Sequence, residues 1–451
     1  MRCVGVDGGS VDGRDDGGAA SEWREVELGD LVSQELAEIR TGPFGTQLRA
    51  SDYVRAGTPV INVRNLGYGS IRPAEVERVG PDVQERLSGH LLRAGDLVFG
   101  RKGAVDRHVL VTDREAGWMQ GSDCIRVRLS SDSPVGPSFV SKCLMTPSHK
   151  AWMEAQCSHG ATMASLNQAI LGRIVLPVPP SATQHRIARV LSAFDELIEI
   201  NERRIELLAD VTRSLYREWF VRYRFPGHVD VESVDSELGL IPERWEVRTV
   251  GDVLDVIGGG TPSKKRSEYW LDGHIPWFTP TDLTRSRRRF VDESEHPITA
   301  LGLASSSARL FPPGSVLMTS RATLGVLAIA SKEATCNQGF IVIPPVDGVP
   351  PAFIYEWLAS QSAELEQIAT GATFKEITKG AFKRFPLIWP PRELLAKFRD
   401  AVSPWLQRIE ECEWHNRELA ATRDLVLPRL VTGILDISDI ELGDLSPAEP
   451  A

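Results

Sequence analysis

Two long stretches of the chain carry apolar residues at alternating spacings of four and three. The first stretch runs from Ile187 to Trp219 and the second from Leu395 to Leu430. This spacing is typical of a heptad seam along one face of an α-helix. Each helix should have about 35 to 40 residues and span roughly 50 to 60 Å, which is too long to be enclosed in one domain. Because so narrow a seam is unstable in water alone, we expect the two helices to pack against each other.

Shorter apolar runs outside these helices recur in two copies, offset by 211 to 222 residues. The shared landmarks are a tryptophan before Gly-Asp, a glycine turn leading into an apolar run, and Gly-Ala-Thr before a proline pair. They occupy Trp23, residues 92–99, 160–162 and 179–180 in the first copy, and Trp245, residues 311–318, 371–373 and 390–391 in the second. Landmarks in the same order indicate duplicated domains with different loop lengths.

The pattern predicts an α+β fold, because turn-bounded apolar runs indicate strands and the seams indicate helices. Two duplicated domains would be separated by a pair of long antiparallel coiled-coil helices. The segments in chain order are a flexible N-terminal tail (1–21), the first duplicated domain (22–180), the first long helix (181–224), an acidic linker (225–244), the second duplicated domain (245–391), the second long helix (392–432) and an acidic C-terminal tail (433–451).

Each seam contains an asparagine near its middle. If a two-fold axis relates the duplicated halves, the helices run antiparallel, and alignment of the seam midpoints pairs Asn201 with Asn416. An amide in an apolar seam costs stability unless it is hydrogen-bonded, so the pair should face each other and fix the register. The charged seam position Arg423 should weaken the second helix, and Pro404 should kink it or restart it with Ser403 as cap.

Composition narrows the class of protein. The chain has 451 residues, 42% hydrophobic and 25% charged, as in globular proteins. No apolar run approaches the roughly 18 residues of a membrane span, and the N-terminus lacks a signal-peptide core, which predicts a cytoplasmic protein. The net charge is −10, but the acidic segments 1–22, 226–245 and 433–451 together carry −12. The rest is therefore nearly neutral, and the net charge does not exclude a nucleic-acid partner.

Several catalytic motifs are missing. None of the ten lysines follows a glycine, so there is no phosphate-binding Gly-Lys-Ser/Thr loop. None has an acidic residue two positions before it, as many restriction nucleases do, and no proline pair has an amino-methyltransferase context. The nine histidines show no metal-ligand spacing, the six cysteines form no C-x-x-C pair, and Gly258-Gly259-Gly260 lacks the dinucleotide-loop order. The sequence therefore predicts a chain without catalytic, metal or cofactor sites.

Basic and amide residues in turn-like segments remain as candidates. Arg and Lys suit guanine edges and phosphates, and Asn and Gln suit adenine. The candidate DNA contacts are Gln47, Asn62, Arg64, Asn65, Arg101, Lys102 and Arg107 in the first domain, and Thr261, Ser263, Lys264, Lys265, Arg266, Thr281, Asp282, Arg285, Arg287, Arg288, Ser320 and Arg321 in the second. For each of these residues taken alone, an ordinary solvated surface position is the better interpretation. Their matching positions, above all Arg101-Lys102 and Ser320-Arg321 after a glycine-led strand, favour a shared function, whereas the run from Arg285 favours phosphate contact or solvation over base reading.

Several longer motifs give the chain a family resemblance. They include residues 259–263 (Gly-Gly-Thr-Pro-Ser), 268–270, 275–277 and 337–340 (Asn-Gln-Gly-Phe), with 215–221, 237–242 and 427–433 around the long helices. With these motifs the chain resembles the specificity subunit of type I restriction-modification systems over about residues 23 to 435. The first 20 residues depart from the family pattern.

The resemblance implies a non-catalytic subunit with two target-recognition domains, each reading one half of a bipartite DNA site. It implies two modification subunits along the spacer helices, which bind S-adenosylmethionine and methylate adenine, and motor-nuclease subunits that use ATP. The alternative is a non-enzymatic adaptor whose two domains bind proteins. The arginine-rich loops favour DNA, and the nearly neutral core favours the adaptor.

Overall fold

Each half of the chain folds around a mixed five-stranded sheet. The computed structural model describes residues 23–72, 75–157, 164–321, 323–371 and 375–437. The predicted tail 1–21, the motif 160–162 and most of the acidic C-terminal tail lie outside these residues. The chain divides into a first unit, formed by residues up to Leu197 and from Glu418 onward, and a second unit, Ile198–Arg417.

The strands and helices up to the first long helix belong mainly to the first unit. The strands are β1 (Arg24–Glu27), β2 (Ala37–Thr41), β3 (Tyr53–Val54), β4 (Thr58–Ile61), β5 (Tyr68–Gly69), β6 (Arg78–Val79), β7 (Leu97–Gly100), β8 (His108–Leu110), β9 (Met119–Gln120), β10 (Cys124–Leu129) and β11 (Val175–Val178). The helices are α1 (Leu28–Ser33), α2 (Pro81–Arg86), α3 (Pro137–Leu144), α4 (Pro147–Cys157), α5 (Gln168–Gly172) and the long α6 (Ser181–Tyr216).

The remaining elements belong mainly to the second unit. The strands are β12 (Ser233–Ser236), β13 (Gly239–Pro242), β14 (Glu246–Thr249), β15 (Ile257–Gly258), β16 (Trp277–Phe278), β17 (Phe290–Val291), β18 (Val316–Thr319), β19 (Leu327–Ala330), β20 (Thr335–Cys336), β21 (Phe340–Ile343) and β22 (Pro386–Trp389). The helices are α7 (Val250–Val253), α8 (Pro280–Ser286), α9 (Ala300–Ala304), α10 (Pro351–Ser360), α11 (Ser362–Gln367), α12 (Lys379–Lys383) and the long α13 (Arg392–Val431).

The two units have the same sheet topology. The strand order is β2-β10-β7-β8-β5 in the first and β15-β21-β18-β19-β17 in the second. In both, the first four strands pair antiparallel and the last strand pairs parallel to the fourth. Each unit also pairs the strand after its repeated tryptophan with the strand before a long helix, β1 with β11 and β14 with β22. The predicted duplication and the α+β class are therefore confirmed.

The central strands β7 and β18 are buried on both faces, which explains why they are continuous apolar runs. Leu97 and Phe99 lie in one core cluster of the first unit, and Val98 points into another. In the second unit Val316 and Leu317 divide between two clusters in the same way. Replacing Phe99 by alanine would cost about 3–5 kcal/mol, as in other well-packed cores.

The glycine of each Gly-Asp repeat permits a close approach between two short helices. A Cβ atom on Gly29 would lie 3.0 Å from the carbonyl oxygen of Gly172, at the end of α5. A Cβ atom on Gly251 would lie 3.2 Å from the carbonyl oxygen of Lys383, at the end of α12. The repeated glycine therefore reflects one packing contact that both units share.

The two long helices contain 36 and 40 residues, as the seams predict. In the first unit, Leu191 of α6 packs in the same cluster as Leu427 and Leu430 of α13. In the second unit, the Asn201 side-chain amide donates to Asn416 Oδ1 at 2.9 Å, and the rings of Tyr216 and Phe398 lie 6.4 Å apart. Residue numbers rise along one helix as they fall along the other, so the helices are antiparallel within each unit. The predicted asparagine pair is confirmed.

The second long helix differs from the prediction at Pro404. Helix α13 continues through this residue, so the predicted restart at Ser403 is wrong, and the alternative, a kink at Pro404, stays a prediction. The Ser403 hydroxyl donates to the carbonyl oxygen of Arg399 at 2.6 Å, within the same helix. The proline removes one backbone donor, but the packing of the seam on both sides of it keeps the helix continuous.

Arg423 has partners that the seam pattern did not reveal. Its guanidinium donates to Asp195 of α6 at 2.6 Å, and the Lys142 ammonium bonds the same carboxylate at 2.6 Å. The charge in the seam is thus matched within the first unit, and Asp195 links the two helices to α3.

The segment predicted as an acidic linker contains a β-hairpin, in which β12 pairs antiparallel with β13. Ile241 at its base is buried in the core of the second unit, and Leu240 on the opposite face is 63% exposed. In the part of the chain that the structure describes, no helix is both long and apolar enough to cross a membrane.

Candidate nucleic-acid interface

The loops after β7 and β18 occupy equivalent places in the two units. The Arg101 carbonyl accepts a hydrogen bond from the Leu166 N–H at 2.8 Å, and the Ser320 carbonyl accepts one from the Ile377 N–H at 3.0 Å. The next residue in each loop, Lys102 or Arg321, forms an isolated antiparallel bridge with the segment before the last strand. A loop at the same strand end is therefore present in both copies, as the sequence predicts.

The cations at these loops are accessible. Lys102 Nζ lies 3.8 Å from Asp123 and its side chain is 54% exposed. Arg321 forms a 2.8 Å ion pair with Glu376, and half of its side chain is exposed. Such surface pairs contribute little to stability, so either cation can exchange its carboxylate for a phosphate or a base edge. Ser320 is buried, and its side chain is not presented to a ligand in this structure.

A second matched feature follows β4 and β16. The Asn62 N–H donates to Asn65 Oδ1 at 3.0 Å, and the Thr279 N–H donates to Asp282 Oδ2 at 2.7 Å, so both units have a side chain that closes the first helical turn after the strand. The other Asp282 oxygen accepts from the Glu295 N–H at 2.9 Å. Asn65 is fully buried. Asn65 and Asp282 therefore hold the turns, which differs from their predicted role as DNA contacts.

The exposed positions on these turns are Arg64 and Thr281. Arg64 pairs with Glu77 at 3.0 Å, and the Asn62 amide donates to the same carboxylate at 2.7 Å. Asn62 is thus engaged with its own loop, and Arg64 is the residue that the turn presents.

Two tryptophans hold the glycine-rich loop of the second unit. Trp277 Nε1 donates to the Gly260 carbonyl at 2.8 Å and Trp270 Nε1 donates to the Ser263 carbonyl at 3.1 Å. A Cβ atom on Gly259 would lie 2.1 Å from backbone carbonyl oxygens of residues 336 and 337, so only glycine fits there. These contacts hold the loop in place, and it presents the exposed Ser263, Lys264 and Lys265.

The neighbouring residues extend this surface. The Thr261 hydroxyl donates to Gln338 at 2.6 Å, which adds an exposed amide that was not among the predicted contacts. Its signal in the sequence was the motif at residues 337–340. Arg266 bonds Glu268 at 2.7 Å and lies 5.4 Å from the ring centre of Tyr269. Among the described residues, no group of three potential ligands could hold a metal ion.

The arginine run that begins in the last turn of α8 divides between surface and core. Arg285 is exposed and bonds Glu295 at 2.9 Å, and Arg287 is exposed with a left-handed backbone, φ 52°. Arg288 is half-buried and lines a cavity of about 310 Å³ beside Trp414. Arg289 is buried and bonds Glu356. The run therefore offers separate cations rather than one continuous basic face.

In the first unit, Gln47 is exposed and its carbonyl accepts from Arg86 at 2.6 Å. Arg101 and Arg107 are half-buried. Arg107 directly precedes β8 and lies beside the end of β7 that leads to Arg101 and Lys102. Its guanidinium carbon lies 5.8 Å from the ring centre of Tyr68.

The fold and these loops define a duplicated α+β protein that presents cations, hydroxyls and amides at equivalent strand ends. The family model for the type I restriction modification DNA specificity domain matches residues 20–209 and 242–394. The chain belongs to this family, and its role is DNA recognition. The alternative prediction of a protein-binding adaptor is not supported.

The chain is similar to named specificity subunits. It is 35% identical over 203 residues to the type I restriction enzyme MjaIX specificity subunit of Methanocaldococcus jannaschii, which covers 45% of this chain and 46% of that one. That match spans under half of the relative. It is 23% identical over 478 residues to the HindI specificity subunit of Haemophilus influenzae, covering 92% and 99%. The S subunit structure from M. genitalium has the same fold, with a TM-score of 0.57, 15% identity and coverage of 91% and 96%.

Proposed function

We propose that this chain is the non-catalytic subunit that directs a type I methyltransferase and restriction complex to a bipartite DNA target. Each unit would read one half-site. The observation that carries the proposal is the duplicated loop. In each unit the central buried strand is followed by a cation, Lys102 or Arg321, which forms a β-bridge with the segment before the last strand of its own unit.

The proposed contacts combine base readers and phosphate binders. They are Gln47, Arg64, Arg101, Lys102 and Arg107 in the first unit, and Thr261, Ser263, Lys264, Lys265, Arg266, Thr281, Arg285, Arg287, Arg288 and Arg321 in the second. Asn65 and Ser320 are buried, and Asn62 and Asp282 are half-buried and bonded within their own loops, so these four residues are not among the proposed contacts. Their proposed role is to hold the reading loops.

The antiparallel helices would act as a coiled-coil spacer. The hydrogen bond between Asn201 and Asn416 fixes the register of the seam in the second unit. A fixed register would set the number of base pairs left unread between the half-sites, at about 3.4 Å per base pair.

The proposed partners are two modification subunits along the spacer helices and, where the system restricts DNA, two motor-nuclease subunits. An exposed apolar row on α6 supports a helix-bound partner: Ile200 is 40% exposed, Leu207 51% and Val211 46%. Exposed rows of this kind mark interaction sites. S-adenosylmethionine and ATP would bind these partners, with no cofactor on this chain, and the complex would act in the cytoplasm.

The test is discrimination at each half-site separately. The target is first identified from the methylated sites in cells that express the chain with its modification subunits, and binding is then measured on duplexes with one half scrambled. Arg101→Ala with Lys102→Ala should reduce discrimination at one half only, by about 1–3 kcal/mol per base-reading contact, and Arg321→Ala should affect the other half.

Arg93→Ala is the matched control, because Arg93 is exposed and precedes β7, at the end of the strand opposite Arg101. It should leave discrimination at both halves unchanged. An equal loss at both halves with the Arg101 and Lys102 variant would show that this loop acts on assembly or general affinity and would contradict separate reading.

A further inference from the structure

Tyr68 is an exposed aromatic residue with cations against its ring. It belongs to the edge strand β5 and is 40% exposed. Lys150 Nζ lies 3.9 Å from the ring centre and the Arg107 guanidinium carbon lies 5.8 Å from it. The hydroxyl donates to Asp106 at 2.5 Å, which fixes the ring. Both cations are within the range of cation–π attraction.

This cluster lies at the sheet end that carries the first reading loop. Strand β5 pairs with β8 in parallel, with Tyr68 opposite His108. The loop between β7 and β8 contains Arg101, Lys102 and Arg107, so Tyr68 is adjacent to the end of that loop. Lys150 reaches the ring from the first turn of α4.

The residues next to Tyr68 on β5 and β8 are closely packed, and the His108 ring among them is uncharged. His108 is buried and its Nε2 lies 2.8 Å from the Ser141 hydroxyl of α3. Burial lowers the pKa of His108 to about 3, so the ring is neutral at physiological pH. A Cβ atom on Gly69 would lie 3.3 Å from Met145, so β5 rests closely on the helical layer.

The local charge favours an anion. Lys150 and Arg107 are held around one ring although like charges repel. Within the described ranges of the chain, no carboxylate oxygen lies within the 4.0 Å ion-pair distance of either cation. The nearby Asp106 carboxylate accepts from the tyrosine. An anion close to the ring would offset this repulsion, and the adjoining Arg101 and Lys102 make a DNA phosphodiester the fitting ligand.

We propose that Lys150 and Arg107 bind a backbone phosphate of DNA in the first unit and that Tyr68 holds them in place. The inference rests on the proposed function and adds Lys150 as a contact and Tyr68 as a positioning residue. The second unit does not repeat the arrangement: Phe290 begins the equivalent strand β17, and its N–H donates to Glu413 at 2.9 Å. The phosphate site thus belongs to the first unit.

The experiment measures the salt dependence of binding to labelled duplex DNA of random sequence, with the full chain in the complex in which it purifies. Each phosphate contact contributes about 0.9 to the slope of log affinity against log salt concentration. Lys150→Ala should reduce the slope by about this amount. The factor by which affinity falls between 50 and 200 mM salt should then be about 3.5-fold smaller than in the wild type.

Tyr68→Ala should lower affinity about twofold to fivefold with the slope nearly unchanged, because the charges remain and only their positioning is lost. Tyr68→Phe keeps the ring and loses only the hydroxyl that fixes it, so it should lower affinity less than Tyr68→Ala does.

Arg93→Ala, at the opposite end of β7, is the charge-matched control and should leave the slope at the wild-type value. Equal slope changes for Lys150→Ala and Arg93→Ala would show a general charge effect and overturn the site. An unchanged slope for Lys150→Ala, with a normal thermal melt, would also overturn it. Absence of any salt dependence in the wild-type protein would instead contradict the proposed function itself, so the two failures are distinguishable.

Discussion

At the scale of single residues, an amide pair sets the alignment of the long helices. Asn201 is 9% exposed, and Asn416 also donates to the Ile198 carbonyl at 3.4 Å. Aliphatic pairs on either side would pack almost as well after a shift of one turn, whereas the two amides bond only in one register. The pair therefore contributes specificity more than stability.

Removal of one amide should be more harmful than removal of both. Asn201→Ala leaves Asn416 without its partner and should lower the free energy of unfolding by about 1–3 kcal/mol. Asn201→Leu with Asn416→Leu should be close to neutral or stabilising, since no polar group is left unpaired. Urea unfolding of the full chain measures both. Gln407→Ala, at an exposed site on α13, is the control and should change stability by under about 0.5 kcal/mol. A single variant as stable as the double variant would show that the hydrogen bond contributes nothing.

At the scale of elements, one carboxylate attaches the edge strand of the second unit to a long helix. Glu413 of α13 accepts the Arg289 N–H at 2.7 Å and the Phe290 N–H at 2.9 Å, one on each oxygen. These donors begin the edge strand β17, which would otherwise leave backbone groups unpaired. Arg417 of the same helix bonds Asp292 at 2.6 Å. The strand and the helix are thus joined through backbone as well as side-chain groups.

This attachment should depend on pH. Burial raises the pKa of Glu413 above its usual 4.5, although the two backbone hydrogen bonds oppose the shift. A carboxyl whose folded pKa is raised gives its full stability below about pH 4.5 and loses it as the pH rises through the folded pKa. Glu413→Gln does not titrate, so the stability of the wild type relative to this variant should fall as the pH rises above about 4.5.

Urea midpoints of both proteins across that range measure the difference. Glu393→Gln, at an exposed position of the same helix, should show no such trend. A relative stability that rises with pH would mean that the hydrogen bonds from Arg289 and Phe290 outweigh burial, and it would contradict the direction of the shift.

At the scale of the whole molecule, the duplication gives the two units equivalent loops on one shared scaffold. Both units repeat the sheet order, the strand-end bridge and the closed turn after β4 or β16. The side chains differ between the copies: the first has Asn62 and Lys102 where the second has Thr279 and Arg321. A shared scaffold with different loop residues is suited to reading two unlike half-sites.

The purified chain alone should neither methylate nor cleave DNA. The reason is that its sequence contains no S-adenosylmethionine, nucleotide or nuclease motif. Transfer of labelled methyl groups to target DNA, and plasmid cleavage with ATP and magnesium, measure the two activities. The same preparation supplemented with its modification subunits is the positive control for methylation. Methyl transfer by the chain free of any partner would contradict the proposed division of labour.

The sequence by itself determined the long helices, their antiparallel register and the duplication. Heptad spacing is a local property of one segment, and the glycines of the repeated Gly-Asp pair stand where both units need the same close contact. Gly29 and Gly251 illustrate this, because each approaches the backbone at the end of a short helix.

Only the tertiary structure decided which polar residues are available to a ligand. Asn65 and Asp282 resemble loop contacts in the sequence but close helical turns in the structure. Arg289 belongs to the arginine run in the sequence but is buried in the core. Arg423 looks like an unmatched charge until the fold brings Asp195, 228 residues away, within 2.6 Å. The physical reason is that burial and pairing depend on neighbours that are distant in the chain, and local spacing contains no information about them.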